Sequence, residues 1–201
     1  MNSDNKNLPV ITIAVMSVVV LALGYFLFKG LPQNPSQNTT KSDPADSLTG
    51  KPVPDIQLLD KDGKVHTAAD FKGKNTVLFF NEGLMCYPAC WNQIASFGSD
   101  ERFNSDQVQA ISVVVDSAGD WQRAIAQMPE LAKATTMFDV GANASRRLDI
   151  LTMASSMHKG SLPGHTYIVL DKDAVVRYVF DDPNMAIAND MLFSKIEELS
   201  K

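Results

Sequence analysis

Apolar and polar residues fall along this chain in blocks whose period switches between that of a strand and that of a helix. The segment PDIQLLDKDGKVHTA, residues 54–68, predicts a hairpin with Asp62-Gly63 at its turn. Thr76 to Asn81, TVLFFN, is short and almost wholly apolar, which predicts a strand covered on both faces. Val108 to Asp116 predicts a second buried strand, and Thr135 to Phe138 a short third one. Helical spacing runs through Pro88 to Phe97, Asp120 to Ala126, Ala142 to Leu148 and Ala188 to Leu199. For the last of these, Ile187 just before it and Met191, Phe193, Ile196 and Leu199 within it are the candidates for packing. Thr166 to Asp171 and Val175 to Phe180 predict a second hairpin around Lys172-Asp173. Strands alternating with helices define an α/β domain, a central mixed β-sheet flanked by helices.

The first fifty residues follow a different pattern. Leu8 to Phe28 carries no charge over 21 residues. As a helix it would be about 31 Å long, matching a bilayer core of about 30 Å. The expected organisation is a tail over 1–7, a single transmembrane helix over 8–29, a flexible linker over 30–50 and a folded domain over 51–201. The linker, rich in Pro, Asn, Ser and Thr, has no apolar periodicity with which to build a core. A single-pass membrane protein follows, with the domain on the extracytoplasmic side.

Composition narrows the function classes. Hydrophobic residues at 45% and charged residues at 20% describe a folded globular chain. The net charge of −5 comes without a basic block, which argues against nucleic acid as a partner.

The chemistry is concentrated in GLMCYPACW, Gly83 to Trp91, which holds both cysteines of the chain, Cys86 and Cys90. A thiol reacts as its thiolate, so a redox cysteine needs an environment that favours the anion. Pro88 suits the first turn of a helix, and a helix start supplies unpaired N–H groups and the positive end of the dipole. Cys86 is then expected at the exposed mouth and Cys90 inside the first turns. A separation of four places the pair on one helical face, about 6 Å apart, within the 4.4–6.8 Å span that disulfides tolerate. Inert core cysteines or a purely structural disulfide are the plainer alternatives.

The segment GKPVPDIQLLDKDGKVHTAADFKGKNTVLFF resembles the opening of the redoxin group, which includes AhpC/TSA peroxiredoxin relatives and TlpA/ResA-type tethered thioredoxins; Ile56 stands where that group usually has Phe. EGLMCYPACWNQI and SMHKGSLPGHTYIVLDKDAVVRYVF resemble a peroxiredoxin-like subgroup of redoxins. The resemblance covers nearly all of Lys51 to Leu199 and implies a thioredoxin-like fold. It implies a thiol–disulfide oxidoreductase in which Cys86 attacks and Cys90 resolves, with protein thiols or disulfides as partners and no cofactor. It also places His165, ahead of Thr166, where TlpA/ResA-type relatives carry a cis-proline facing the cysteines. The imidazole could take a proton from Cys86 or stabilise its thiolate. Glu82 could relay a proton to Cys90, although a solvated carboxylate at a strand end is the plainer reading. His158 and His66 read as surface residues, and Trp91 as a packing residue.

Two features pull elsewhere. The peroxiredoxin pattern P-x-x-x-T-x-x-C counted back from Cys86 meets Gly83 and Phe79, and from Cys90 Tyr87 and Gly83. Neither register supplies the threonine, which argues against efficient peroxide reduction, while the resemblance still implies peroxiredoxin-like antioxidant activity as a further role of the dithiol. Sco-type copper chaperones share C-x-x-x-C and a distant histidine, and two thiolates plus an imidazole suit Cu(I). Copper held by Cys86, Cys90 and His165 is therefore the alternative reading, and a non-catalytic redoxin-fold binding module is the third.

Overall fold

The computed structural model describes residues 44–199. Its framework is a mixed sheet of seven strands in the order β2-β1-β5-β4-β3-β6-β7. The strands are β1 (Gln57–Leu59), β2 (Val65–Thr67), β3 (Asn75–Asn81), β4 (Val108–Val114), β5 (Thr136–Phe138), β6 (Thr166–Leu170) and β7 (Val176–Asp181). The helices are α1 (Pro44–Leu48), α2 (Ala89–Ser99), α3 (Ala118–Gln127), α4 (Asn143–Arg147) and α5 (Asn189–Glu198).

The two apolar runs pair as expected of buried strands. β3 lies parallel to β4, with Leu78 opposite Ile111, and antiparallel to β6, with Leu78 opposite Ile168. Every residue of β3 is buried. Its side chains alternate between two cores because successive residues point to opposite faces. Val77 and Phe79 join Trp91, Ile94, Phe97, Trp121 and Leu192 beneath α2, α3 and α5. Leu78 and Phe80 join Leu48, Ile111, Leu148 and Ile168 on the opposite face, beneath α1 and α4.

Helix starts have legible causes. Ser117 caps α3 by accepting from the Asp120 N–H, and the first helical residues carry the unpaired N–H groups that such a cap satisfies. Asp139, at the end of β5, accepts from the N–H groups of Ala144 and Ser145 and thereby holds the start of α4. Pro88 stands immediately before α2 rather than within it.

The structure corrects several expectations here. The folded part begins earlier than residue 51, because Pro44–Leu48 is helical, Leu48 is buried, and Gly50 N donates to Val176 O. Residues 44–50 of the expected linker thus belong to the folded part; the expected tail, the Leu8–Phe28 helix and the rest of the expected linker lie outside the described residues. Of the candidates for packing around α5, Ile196 is buried and Met191 and Phe193 pack partly buried against the core, beside the buried Asn189 and Leu192, whereas Ile187 and Leu199, just outside the helix, are exposed. His66 is not free at the surface: its Nε2 lies 3.0 Å from Asp60 Oδ2, which holds the Asp60 carboxyl at about 2, below its ordinary value.

Candidate functional site

The site lies just beyond the C-terminal end of β3, the strand from which the chain turns outward to β4 and β5 on one side and to β6 and β7 on the other. Crevices beyond strand ends at such a reversal are the usual ligand positions of open α/β sheets. Asn81 holds this end in place. Its side-chain amide donates to the carbonyls of Phe79 and Val113, 3.2 and 3.3 Å away, and its Oδ1 accepts from Gly83 N at 2.9 Å.

The chain then turns through a 3-10 segment, Gly83–Cys86, before α2. Gly83 has φ of +62°, and a Cβ there would collide with the Asp116 carboxylate. Glycine is required on both counts. The carboxylate in question accepts from Leu84 N at 2.8 Å. Burial pushes the Asp116 carboxyl above its ordinary range, with the Leu84 N–H acting against the shift. On the helix side, Trp91 Nε1 donates to Gly83 O at 3.1 Å, so the indole expected to pack also fastens the turn.

Cys86 and Cys90 form a disulfide with their Cα atoms 5.4 Å apart. Cys86 closes the 3-10 segment and is 4% exposed, while Cys90 is the second residue of α2 and is fully buried. Cys86 therefore does not sit at an open mouth; it is the outer of two covered sulfurs. Exposed Met85 and Tyr87 flank it.

His165 immediately precedes β6 and is fully buried. The structure brings it to the cysteines, but to Cys90 rather than Cys86: Nδ1 stands 3.4 Å from the Cys90 sulfur. Its backbone is fixed on both sides, by Ser155 Oγ accepting from His165 N at 2.7 Å and by Asp182 N donating to His165 O. The ring packs edge-on against Phe79 at 4.6 Å. Burial lowers the imidazole to about 4, with Asp182 and the Ala186 backbone opposing. The side chain is neutral at ordinary pH.

Glu82 departs from both readings of it. It is buried, not solvated, and its hydrogen bonds go to Met157 and His158 rather than to a cysteine. Oε1 accepts from Met157 N at 3.0 Å and His158 N at 3.3 Å, and Oε2 lies 3.0 Å from His158 Nδ1. His158 is accordingly a partly covered partner of a buried carboxylate. Burying a carboxylate is tolerated where hydrogen bonds and a partner replace water.

Two residues were missed, Gln93 and Tyr167. Tyr167 Oη lies 2.7 Å from His165 Nε2 and donates to Gln93 Oε1 at 3.0 Å. Spacing alone could have found them. Gln93 is three residues after Cys90 on one helical face, and Tyr167 is two after His165 on one strand face.

A soft metal would find three ligand atoms here, from Cys86, Cys90 and His165, all within 4.8 Å of one another; both sulfurs are tied up in the disulfide. The arrangement suits thiol–disulfide exchange, since two sulfurs share a bond, one is the more accessible, and a neutral base faces the other.

The mixed sheet, its flanking helices and the closed cysteine pair define a redox protein of thioredoxin-like fold. The redoxin family profile matches residues 48–192, and the chain belongs to that family. It is 31% identical over 134 residues to the chloroplastic peroxiredoxin Q of Triticum aestivum, covering 66% of this chain and 58% of that protein. With the chloroplastic peroxiredoxin Q of Gentiana triflora it shares 29% identity over 153 residues, 76% of this chain and 67% of the relative. The chain thus spans less than two thirds of the wheat relative's length. Among solved structures, the peroxiredoxin-like protein from Aquifex aeolicus superposes with a TM-score of 0.62 at 20% identity, covering 75% of this chain and 86% of that one. The mitochondrial 2-Cys peroxiredoxin from Plasmodium falciparum gives 0.61 at 18%, covering 76% and 94%. These superpositions show the shared fold.

The relatives also correct one expectation and leave another without support. Single-pass membrane localisation gives way, because the curated relatives are named as chloroplastic proteins and, among the described residues, no helix is long and apolar enough to cross a membrane. The Sco-type copper reading finds no support in them, since these relatives are peroxiredoxins.

Proposed function

We propose that this chain is a thiol-dependent oxidoreductase in which Cys86 attacks and Cys90 resolves. The observation that carries the reading is the Cys86–Cys90 disulfide closed against a buried neutral imidazole. With the reduced pair, the Cys86 thiolate attacks one sulfur of a partner's disulfide, forming a mixed disulfide and releasing one partner thiolate. Cys90 then attacks the Cys86 sulfur, the internal disulfide forms, and the second partner thiolate leaves. Two electrons pass to the partner, and the reverse sequence returns them. The sulfurs suffice for this exchange, with no metal or diffusible cofactor.

A peroxide is the second substrate class, favoured by the likeness to peroxiredoxin Q. There the Cys86 thiolate attacks the O–O bond, an alcohol or water leaves, and Cys90 displaces hydroxide from the resulting sulfenic acid.

The test is to mix the reduced protein with one equivalent of either oxidant and follow its intact mass. Loss of two hydrogens in the wild type is expected, with Cys90→Ser trapped as an adduct on Cys86 and Cys86→Ser inert. No reaction with either class would leave a redoxin-fold binding module.

A further inference from the structure

The hydrogen bonds behind Cys90 run in a fixed direction. The Ala188 N–H is a backbone donor, and its acceptor, 2.8 Å away, is Gln93 Oε1. That bond identifies the oxygen end of the Gln93 amide without ambiguity, because an amide –NH2 could not accept there. Gln93 Nε2 in turn donates to Asn189 Oδ1 at 2.8 Å, which holds the same orientation. Gln93 Oε1 also lies 3.0 Å from Tyr167 Oη. Between two oxygens one must supply the hydrogen, and a carbonyl has none, so the Tyr167 hydroxyl donates. Burial raises the Tyr167 pKa and keeps that hydroxyl protonated.

With its hydrogen committed, Tyr167 Oη can only accept from His165 Nε2, 2.7 Å away. His165 Nε2 must then carry the ring's hydrogen. A neutral imidazole has one such hydrogen, so Nδ1 is bare. That bare nitrogen faces the Cys90 sulfur at 3.4 Å. Cys90, Gln93, His165 and Tyr167 are all fully buried.

We propose that Gln93 and Tyr167 are positioning residues that lock His165 in the Nε2–H tautomer, so that Nδ1 is the proton acceptor for the Cys90 thiol. The inference rests on the resolving role of Cys90 given above. A buried thiol resists ionisation, and a base already aimed at its hydrogen removes that obstacle. In the resolving step the Cys90 S–H proton moves to His165 Nδ1. The Cys90 sulfur bonds to the Cys86 sulfur, the bond from Cys86 to the departing partner sulfur breaks, and the electron pair leaves on that sulfur. The imidazolium proton then passes to the leaving thiolate, restoring neutral His165.

An aromatic disulfide, 5,5′-dithiobis(2-nitrobenzoate), separates the steps. Reduced protein releases one coloured thiolate when Cys86 attacks and a second when Cys90 resolves. In the wild type, ring 15N shifts of His165 should report the Nε2–H tautomer. Gln93→Leu removes the acceptor, frees the Tyr167 hydrogen to point at Nε2 and should turn the ring to Nδ1–H. The second release should slow about 10²-fold, within the range for loss of a general base, with the first release unchanged. Gln93→Glu keeps oxygen acceptors at this position and should restore both the tautomer and the second rate. If Gln93→Leu does not fold, Tyr167→Phe takes its place: it preserves the ring, removes the Nε2 acceptor, and should give mixed tautomers with a slower second release. A wild-type ring carrying its hydrogen on Nδ1, or variants that leave the second release unaltered, would overturn the tautomer lock while the dithiol reading stands. A wild type that never releases the second equivalent sinks the resolving role of Cys90 and the inference with it.

Discussion

Glu82 and His158, far apart in sequence, meet where β3 ends: the buried carboxylate takes the N–H groups of Met157 and His158 and pairs with the His158 ring at 3.0 Å. The pair fastens the 157–158 loop to the strand that leads into the cysteine turn. Glu82→Ala should therefore act on the loop first, leaving two N–H groups without their acceptor at a cost of about 1–3 kcal/mol. Amide hydrogen exchange at Met157 and His158 should accelerate, while the rate at which Cys86 is alkylated in the reduced protein changes little. A large drop in Cys86 reactivity would show that Glu82 acts on the sulfur.

Cys86 should be the faster thiol. It is the outer sulfur, and Cys90 sits within α2 with no exposure. Alkylation of the reduced protein at mildly acidic pH, followed by peptide mass analysis, should find Cys86 labelled well ahead of Cys90. Equal labelling, or Cys90 first, reverses the roles assigned to the pair.

Stability should depend on pH through His165. Burial lowers its folded pKa from 6.5 to about 4. As pH falls, the unfolded chain takes up this proton first, so the contribution is complete above 6.5 and is lost between 6.5 and about 4. The loss amounts to about 3 kcal/mol. Urea unfolding across that window should show the component in the wild type and not in His165→Asn. Parallel pH curves for the two would mean that the imidazole is not held neutral.

Gly83→Ala should damage both fold and chemistry. The methyl group would displace Asp116 from Leu84 N, and the backbone would remain at positive φ. Together these cost about 2 kcal/mol or more, read as a lowered urea midpoint. The Cys86–Cys90 disulfide should also form more slowly, because the turn carrying Cys86 shifts. Wild-type stability in Gly83→Ala would remove the Asp116 contact as an explanation for the glycine.

Much of the fold was legible. The run at 76–81 became β3, the spacing at 188–199 became α5, and the Lys172-Asp173 turn joins β6 to β7. Each of these has strong periodicity, and packing reinforced it. The Gly83–Cys86 turn was hidden, since a 3-10 segment has no hydrophobic period and depends on Asn81, Asp116 and Trp91 from other elements. In the site, Cys86, Cys90 and His165 could be named from the sequence. The sulfur that His165 faces could not, because that depends on how β6 sits against α2. Glu82 was misread for a similar reason: its partner lies on a distant loop, and charge at a strand end usually means solvent.

The alternation of side chains along β3 has a consequence for how this molecule can change. Val77 and Phe79 share a core with both cysteines, whereas Leu78 and Phe80 belong to the other face and touch a separate set of residues. Substitutions that share no partners combine additively. The far layer, with Leu48, Ile111, Leu148 and Ile168, is therefore free to drift or be re-engineered for heat resistance without retuning the sulfur chemistry. The near layer has no such freedom, since Phe79 stacks on Tyr167 and abuts His165. One strand thus separates an evolvable half of the protein from a constrained one, and a reshaping of Leu78 or Phe80 should alter melting temperature while leaving the dithiol potential where it was.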